Sequence, residues 1–229
     1  MKEEKRRVKK LFLAIRHGEL ETVKQLIEKN PKWVNCTAQQ PPKKDDGQSP
    51  LQVALKTGNF EIADYLIDRN ADLNFMEAES CCNKWRAPVI HDAVIAAVMC
   101  SRWNTNDKYQ GLRVFSTESR AGEAIAVLAK MLDRGGDVNA VDSFGYSVLF
   151  RFCFQAEQIL PRWIPEERRE AEDRVFTEEL RQDLIRILQL LKQAGADPAY
   201  QAPILGKSVL ARYQEGSLAL LLKEVFGNS

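Results

Sequence analysis

Apolar residues of this chain recur at helical spacing within short segments that glycine and proline separate. In the clearest segment, Leu51, Ala54 and Leu55 follow at intervals of three and four residues, which makes one apolar helical face. Pro50 takes the first turn of this helix, where its missing N–H costs nothing, and Gly58 ends it. The pattern therefore predicts a short helix that buries one face.

A second helix follows directly after this glycine. It begins near Asn59–Glu61 and turns the apolar residues of the stretch 62–67 to one side. Asn70 and the Ala-Asp-Leu-Asn of residues 71–74 then close the unit and lead the chain out into a hairpin. The pattern predicts a helix–turn–helix unit followed by an extended turn.

The same unit recurs along the chain. Its leading apolar position falls at Leu11, Leu51, Ile90, Leu149 and Leu210. Its closing position falls at Asn35, Asn74, Asn139 and, with a different residue, Ala199. These features resemble the ankyrin repeat, whose motif runs Gly-x-Thr-Pro-Leu-His-x-Ala, then Gly, an apolar helix and Gly-Ala-Asp-x-Asn.

The resemblance implies an all-α ankyrin-repeat solenoid of about five helix–turn–helix repeats with short hairpin loops, forming a single domain. Terminal repeats of a solenoid are atypical because each has one face in water. The expected boundaries are 9–46 for the N-terminal capping repeat, 47–86, 87–144, 145–205, and 206–229 for the C-terminal capping repeat.

Two of the repeats are longer than the others. Leu51 and Asn74 lie 23 positions apart, whereas Ile90 and Asn139 lie 49 apart. The extra residues predict an insertion between the two helices of each long repeat, at 100–122 and at 155–177. Because neighbouring repeats stack, both insertions should emerge on one edge and pack on each other.

The second insertion carries helix-start signals. Pro165 precedes an acidic stretch, which favours a helix there. Thr177, followed by two glutamates and Leu180, is an alternative start for the outer helix. The charged run 166–174 fits either a solvated helix face or a ridge that meets a charged partner.

Charge and cysteine usage narrow the class of protein. Lys and Arg number 33 against 32 Asp and Glu, a net charge of +1, which disfavours a nucleic-acid partner. The basic stretch 1–10 is either a solvated helix face or a nucleic-acid or membrane contact. No apolar run approaches the ~18–20 residues of a membrane span, and none resembles a secretory signal. Five cysteines without paired spacing favour a reducing, cytoplasmic setting.

No catalytic or cofactor-binding set stands out. Gly206-Lys207-Ser208 ends like a phosphate-binding loop, but that motif needs a glycine where Gln201 stands. His17 and His91 lack a nucleophile or carboxylate at a telling spacing. We predict that the protein is not an enzyme.

Cys81, Cys82, His91 and Cys100 invite a zinc hypothesis. Structural zinc sites favour ligand pairs two to four residues apart, and adjacent Cys81 and Cys82 do not meet that requirement. Cys100 and Cys153 suit buried apolar positions better. No metal ligands are therefore predicted.

Aromatic and arginine residues mark the candidate binding surface. Such residues dominate protein interfaces, and those near the hairpins would line a concave face. Packing between successive hairpins, or among the insertion aromatics including Phe115, is the alternative. The candidate partner-binding residues are Lys56, Trp85, Arg86, Trp103, Tyr109, Asp142, Phe144, Tyr146, Arg151 and Trp163.

The expected function is protein–protein interaction by a chain that is monomeric when unbound. It would engage one specific protein through its concave face, hairpin tips and insertions. The resemblance extends to bacterial ankyrin proteins that act as immunity proteins, for which the partner is a toxin or effector. The alternatives are a multi-partner adaptor or effector scaffold, and an enzyme or metal-binding protein with a site in the insertions.

Overall fold

The computed structural model describes residues 2–40 and 42–227. Within them, ten α-helices and four short strands follow one another along the chain. The helices are α1 (Lys2–His17), α2 (Leu20–Lys29), α3 (Pro50–Thr57), α4 (Phe60–Asp68), α5 (Val89–Met99), α6 (Glu118–Asp133), α7 (Val148–Ile159), α8 (Glu178–Gln193), α9 (Val209–Arg212) and α10 (Gly216–Phe226). The strands are β1 (Asn104–Asp107), β2 (Gly111–Val114), β3 (Trp163–Ile164) and β4 (Arg169–Glu170).

The helices form two layers. In the first layer, α1, α3, α5, α7 and α9 each contact the next helix of the same layer. In the second layer, α2, α4, α6, α8 and α10 do the same. This succession of helix pairs agrees with a repeat architecture, while the division into five repeats stays a prediction.

The apolar core runs between these layers. The leading positions Leu11, Leu51, Ile90 and Leu149 are all buried, and Leu210 is half-buried. Most helices of the stack have 12 residues or fewer and are too short to be stable in isolation, so burial of these faces against neighbours supplies most of their stability.

Local signals set where helices begin and end. Ser49 and Gln52 form a reciprocal capping box at the start of α3, as Ser49 Oγ accepts from the Gln52 N–H at 3.2 Å. Gly58 follows α3 with a φ of 69°, a left-handed conformation that glycine adopts without strain. This glycine turns the chain from the first layer to the second.

A ladder of asparagine side chains joins successive hairpins. Asn35 accepts the Asp72 N–H at 2.8 Å and donates to the Asn70 carbonyl at 3.2 Å. Asn74 accepts the Asp137 N–H at 2.8 Å and donates to the Gly135 carbonyl at 3.2 Å. The closing asparagines therefore hold each hairpin to the one that follows.

Asn139 continues this ladder. It accepts the Asp197 N–H at 2.9 Å and donates to the Gly195 carbonyl at 2.9 Å. Ala199 occupies the next equivalent position, where its methyl side chain can make neither of the two hydrogen bonds.

Each insertion contains a short antiparallel hairpin instead of helix. Pairing of β1 with β2 and of β3 with β4 adds two small sheets to a fold predicted to be all-α. Because α6 begins at Glu118 and α7 extends to Ile159, the segments between helices are 100–117 and 160–177. Both are shorter than the predicted insertions.

The helix predicted from Pro165 is wrong. The chain turns there instead, with the Arg168 N–H donating to the Pro165 carbonyl at 3.3 Å and Arg168 adopting a φ of 50°. Strand pairing of Trp163 with Glu170 outweighs the local helix signal. The alternative start is confirmed, because Thr177 caps α8 through the Leu180 N–H at 3.3 Å.

The two segments between helices, 100–117 and 160–177, contact each other. Asn104 donates to the Val175 carbonyl and accepts the Val175 N–H, both at 2.8 Å. The Asn106 N–H donates to the Asp173 carbonyl at 2.7 Å. The second insertion also reaches α10, where Glu170 accepts the Ser217 N–H at 2.5 Å.

Removing one rung of the asparagine ladder tests its role. Asn74→Ala loses both hydrogen bonds to the following hairpin, and we expect the free energy of unfolding to fall by about 1–2 kcal/mol. Urea denaturation measures this change. Asn30→Ala is the matched control and should leave stability nearly unchanged, since the Asn30 side chain makes no hydrogen bond with the described residues. Equal effects of the two substitutions would show that the ladder does not stabilise the stack.

Candidate functional site

Residues from two first-layer helices and two hairpin segments meet where the hairpins lie against the first-layer helices. Lys56 comes from α3 and Arg151 from α7, while Trp85 and Asp142 come from the hairpin segments before α5 and α7. We call Lys56, Trp85, Asp142 and Arg151 the groove cluster. The surface that contains it is called the hairpin–helix surface.

The indole ring of Trp85 lies close to two cations. The guanidinium carbon of Arg151 is 4.5 Å from the ring centroid, and Nζ of Lys56 is 5.9 Å from it. Both distances fall within the range of a cation–π attraction. The ring is thereby held at a defined angle while remaining partly exposed.

Asp142 is the buried centre of the groove cluster. Its Oδ1 accepts the backbone N–H groups of Phe144 at 2.9 Å and Tyr146 at 3.0 Å. Its Oδ2 accepts Nε1 of Trp85 at 2.9 Å and a guanidinium N–H of Arg151 at 2.7 Å. A single carboxylate therefore shapes one hairpin and fixes the side chains on both sides of it.

The protonation of Asp142 follows from these contacts. Burial alone would raise the pKa of its carboxyl, but the hydrogen bonds from Trp85, Tyr146, Phe144 and Arg151 lower the pKa below its ordinary value. The group stays ionised at neutral pH, which keeps all four donors in place.

A second set of charges lies beside the groove cluster. Nζ of Lys56 is 3.5 Å from Oδ1 of Asp92 and 3.8 Å from Oε1 of Glu77. Both carboxylates are buried, and Glu77 is further held by the Ala87 N–H at 3.0 Å. Lys56, the least buried of the three, covers the two carboxylates.

Asp92 differs from Asp142 in its lack of donors. No hydrogen bond to either of its carboxylate oxygens is found within the part of the chain that the structure describes. Burial raises its pKa to about 6, and the nearby Lys56 only partly offsets this effect. Its charge is therefore costly near neutral pH.

His91 precedes Asp92 and is equally buried. Its Nε2 lies 2.9 Å from the Ala140 carbonyl, and burial lowers its pKa to about 4. The ring is thus neutral at pH 7, and the carbonyl partner assigns the proton to Nε2. His91 ties α5 to the next hairpin, as such a residue does in the repeat signature.

The candidate partner-binding residues of the hairpins differ in their exposure to solvent. Phe144 presents 45 % of its surface to solvent at the hairpin tip. Tyr146 packs instead, edge-to-face on Phe154 with ring centroids 4.9 Å apart. Arg86 forms an ion pair with the exposed Glu79 at 3.2 Å, and its backbone exchanges hydrogen bonds with Ser143.

The candidate partner-binding residues of the insertions also differ in their exposure to solvent. Trp103 stacks on Phe115 with centroids 4.3 Å apart and donates Nε1 to the Met99 carbonyl at 3.2 Å. Trp163 donates Nε1 to Glu215 at 2.9 Å beside α10. Both tie an insertion to the stack, whereas Tyr109 is 89 % exposed at the turn of the first hairpin.

Two of the residues considered as zinc or phosphate ligands form hydrogen bonds within the protein. Cys82 donates Sγ toward the Lys43 carbonyl at 3.3 Å, and Ser208 caps α9 through the Ala211 N–H at 3.3 Å. Across the described residues, no three His, Cys, Asp or Glu side chains group as metal ligands would. Among the helices described, none is both long and apolar enough to span a membrane.

Sequence reasoning missed the two buried carboxylates under Lys56. Glu77 and Asp92 are 15 positions apart in the chain and follow no motif, so nothing in the spacing indicates that they share a cation. The only sequence signal is that Asp92 stands one position after the His slot of the repeat.

Comparison with known proteins agrees with this geometry for the first part of the chain. Residues 4–95, which span α1 to α4 and part of α5, match the family model described as "Ankyrin repeats (3 copies)". Ankyrin repeats in general are a protein–protein interaction module. The family is generally non-enzymatic.

Two curated proteins are similar to part of the chain. The mouse protein "Ankyrin repeat and SAM domain-containing protein 6" is 31% identical over 85 residues, which are 37% of this chain and 8% of the relative. Its rat counterpart is 33% identical over 72 residues, which are 31% of this chain and 7% of that protein. The chain therefore spans less than a tenth of the relatives it matches.

Asp142→Asn tests whether one carboxylate organises the groove cluster. The amide can still accept two backbone N–H groups, but its N–H₂ would face the Trp85 and Arg151 donors and leave the guanidinium unpaired. We expect a loss of about 2–4 kcal/mol in unfolding free energy, measured by urea denaturation. Asp197→Asn is the matched control, since exposed Asp197 keeps its one acceptor role toward the Ala199 N–H. Comparable losses in both variants would contradict the central role of Asp142.

Asp92→Asn tests the cost of the buried carboxylate. With a pKa of about 6 against 3.8 in the unfolded chain, Asp92 binds its proton more tightly when folded, so its contribution to stability falls as pH rises from about 4 to 6. The variant should therefore exceed the wild type by about 2–3 kcal/mol at pH 8, with the difference vanishing near pH 4. The opposite contribution of His91 is common to both proteins and cancels in the difference. A less stable variant at pH 8 would show that Lys56 fully compensates the charge.

Proposed function

We propose that this chain binds one specific protein partner through the hairpin–helix surface. The observation that carries the proposal is the position of Phe144, an exposed aromatic residue held at the hairpin tip by the buried carboxylate of Asp142. The partly exposed ring of Trp85 is fixed by the same carboxylate. Rigid aromatic side chains of this kind act as anchors in protein interfaces.

The rigidity of the surface supports this proposal. Binding costs free energy when loops and side chains have to be ordered, and a surface that is ordered beforehand avoids that cost. The four hydrogen bonds to Asp142 and the two cations on Trp85 order the tip and the ring in the free protein. A hairpin needed only for stacking would not require an exposed phenylalanine at its tip.

The type of partner follows from the same residues. Phe144 and Trp85 offer apolar contact, while Lys56 and Arg86 surround them with partly exposed cations. A partner with an apolar knob flanked by carboxylates fits this arrangement. The net charge of the whole chain, +1, leaves such local complementarity to determine specificity.

Affinity purification of the tagged chain from its native cells, followed by mass spectrometry, tests the proposal. One stoichiometric partner that survives high salt is the expected result. Its affinity for the Phe144→Ser variant should fall about 10- to 100-fold, since the tip anchor is lost. Leu220→Ser on α10 is the matched control, because Leu220 is also an exposed apolar residue, 62 % against 45 % for Phe144, but lies on the second layer. Equal affinity of both variants would place the interface elsewhere.

The identity of the partner decides the finer role. A bound toxin whose active site is covered would make the chain an immunity protein, in agreement with the sequence-based expectation. Several partners with micromolar affinity would make it an adaptor and would contradict the proposal of a single dedicated partner.

A further inference from the structure

One edge of strand β2 has no partner within the described chain. The Phe115 N–H donates to the Trp103 carbonyl at 2.9 Å, and this pair continues the register in which Asn106 lies opposite Leu112. Hydrogen-bonded and non-hydrogen-bonded positions alternate along an antiparallel pair. Leu112 and Val114 therefore direct their N–H and C=O groups away from β1.

The opposite edge of the same hairpin is covered. The Asn106 N–H donates to the Asp173 carbonyl at 2.7 Å, and the Asn106 side chain donates to the Glu172 carbonyl at 3.1 Å. The second insertion thus closes the β1 edge. Across residues 2–40 and 42–227, no hydrogen bond engages the backbone groups of Leu112 or Val114.

The open edge has one apolar and one cationic face. The side chains of Leu112 and Val114 lie on one face and are 52 % and 50 % exposed. Arg113 lies on the other face, with its guanidinium 4.8 Å from the Phe115 ring centroid. Natural edge strands are commonly protected by a proline, a bulge or an inward charge, and positions 112 and 114 carry none of these.

The hairpin itself carries two cations and one carboxylate. Arg102 pairs with Asp183 at 2.8 Å, whereas Lys108 and Arg113 form no ion pair with any described residue. Asp107 is the one carboxylate of the hairpin, and it accepts the N–H groups of Tyr109 and Gln110 at 2.8 Å each. A segment that approaches this edge therefore meets two cations without carboxylate partners.

We infer that the β2 edge is a docking site for an extended, acidic segment of a partner protein, which adds as a third antiparallel strand. Apolar side chains of the segment would lie beside Leu112 and Val114, and an acidic side chain beside Arg113. This inference rests on the proposed function, because it supplies a mode of recognition for the same kind of partner at a second surface.

A second copy of this chain fits the edge poorly. Two β2 edges could pair antiparallel about a two-fold axis, with the outward groups of Leu112 bonded to those of Val114 in the other copy. In this register, Arg113 lies opposite the Arg113 of the other copy. Like charges directly opposite each other destabilise a strand pair. An acidic segment has no such conflict.

The test uses the ¹⁵N-labelled full chain and a blocked seven-residue peptide in which valine alternates with glutamate. Saturable shifts of the Leu112 and Val114 amide signals, slowed hydrogen exchange there, and a Kd of about 0.1–1 mM are expected. A peptide with lysine in place of glutamate should bind at least about tenfold more weakly. A peptide N-methylated on the edge that faces β2 should not bind, since its strand hydrogen bonds are blocked.

Two variants of the chain sharpen the test. Val114→Pro removes an outward N–H while leaving the Phe115–Trp103 bond, and it should abolish binding; Val114→Thr keeps the N–H and is the matched control. Arg113→Glu should reverse the preference toward the lysine peptide. The Phe115 amide signal reports whether the hairpin remains formed in each variant.

Several results would overturn the inference. One is that the amide signals show no saturable shift up to about 5 mM peptide. Another is that binding survives both N-methylation of the peptide and the Val114→Pro substitution. A third is that the chain forms a dimer and that Val114→Pro dissociates it. The proposed function fails separately. A captured partner that depends on Phe144 but not on Val114 leaves the proposed function intact and removes the docking strand. Peptide binding at the edge without any captured partner removes the proposed function alone.

Discussion

The hydrogen bonds from each closing asparagine to the next hairpin are the constraint on which the rest of the structure depends. Asn74 holds its hairpin to the turn at Gly135–Asp137. That attachment brings the segment after Asn74 alongside the segment after Asp137, where Arg86 and Ser143 exchange backbone and side-chain hydrogen bonds. Helix packing alone would leave the hairpins free to vary in spacing, whereas the ladder sets a fixed separation between them.

The groove cluster is a consequence of that fixed separation. Trp85 reaches Asp142 across 57 positions of sequence, and Arg151 completes the contact from the adjacent helix. Two buried aspartates of this region behave in opposite ways, because Asp142 receives four donors while Asp92 receives only a nearby ammonium. A buried carboxylate that accepts several hydrogen bonds stabilises the fold, and a buried carboxylate that accepts none destabilises it. The weaker position lies beside the surface proposed to bind a partner.

The insertions add a different kind of surface to the helical stack. Their hairpins are held by long-range contacts, such as Arg102 to Asp183 on α8 and Glu170 to the start of α10. The hydrogen bonds of Asn106 to the Asp173 and Glu172 carbonyls cover one edge of the first hairpin and leave the other open. Stacked helices present side chains only, so an open strand edge gives this chain backbone donors and acceptors that the repeats do not offer.

The sequence by itself determined the helical faces, the glycine turns, the helix start at Thr177, and the closing asparagines. These features depend on spacings of a few residues, which a repeating unit displays directly in its sequence. Only the tertiary structure decided that Glu77 and Asp92 share Lys56, that the insertions form hairpins, and that no helix starts at Pro165. Those outcomes depend on partners many positions away, and their contact energies outweigh the local preferences that a sequence pattern reveals.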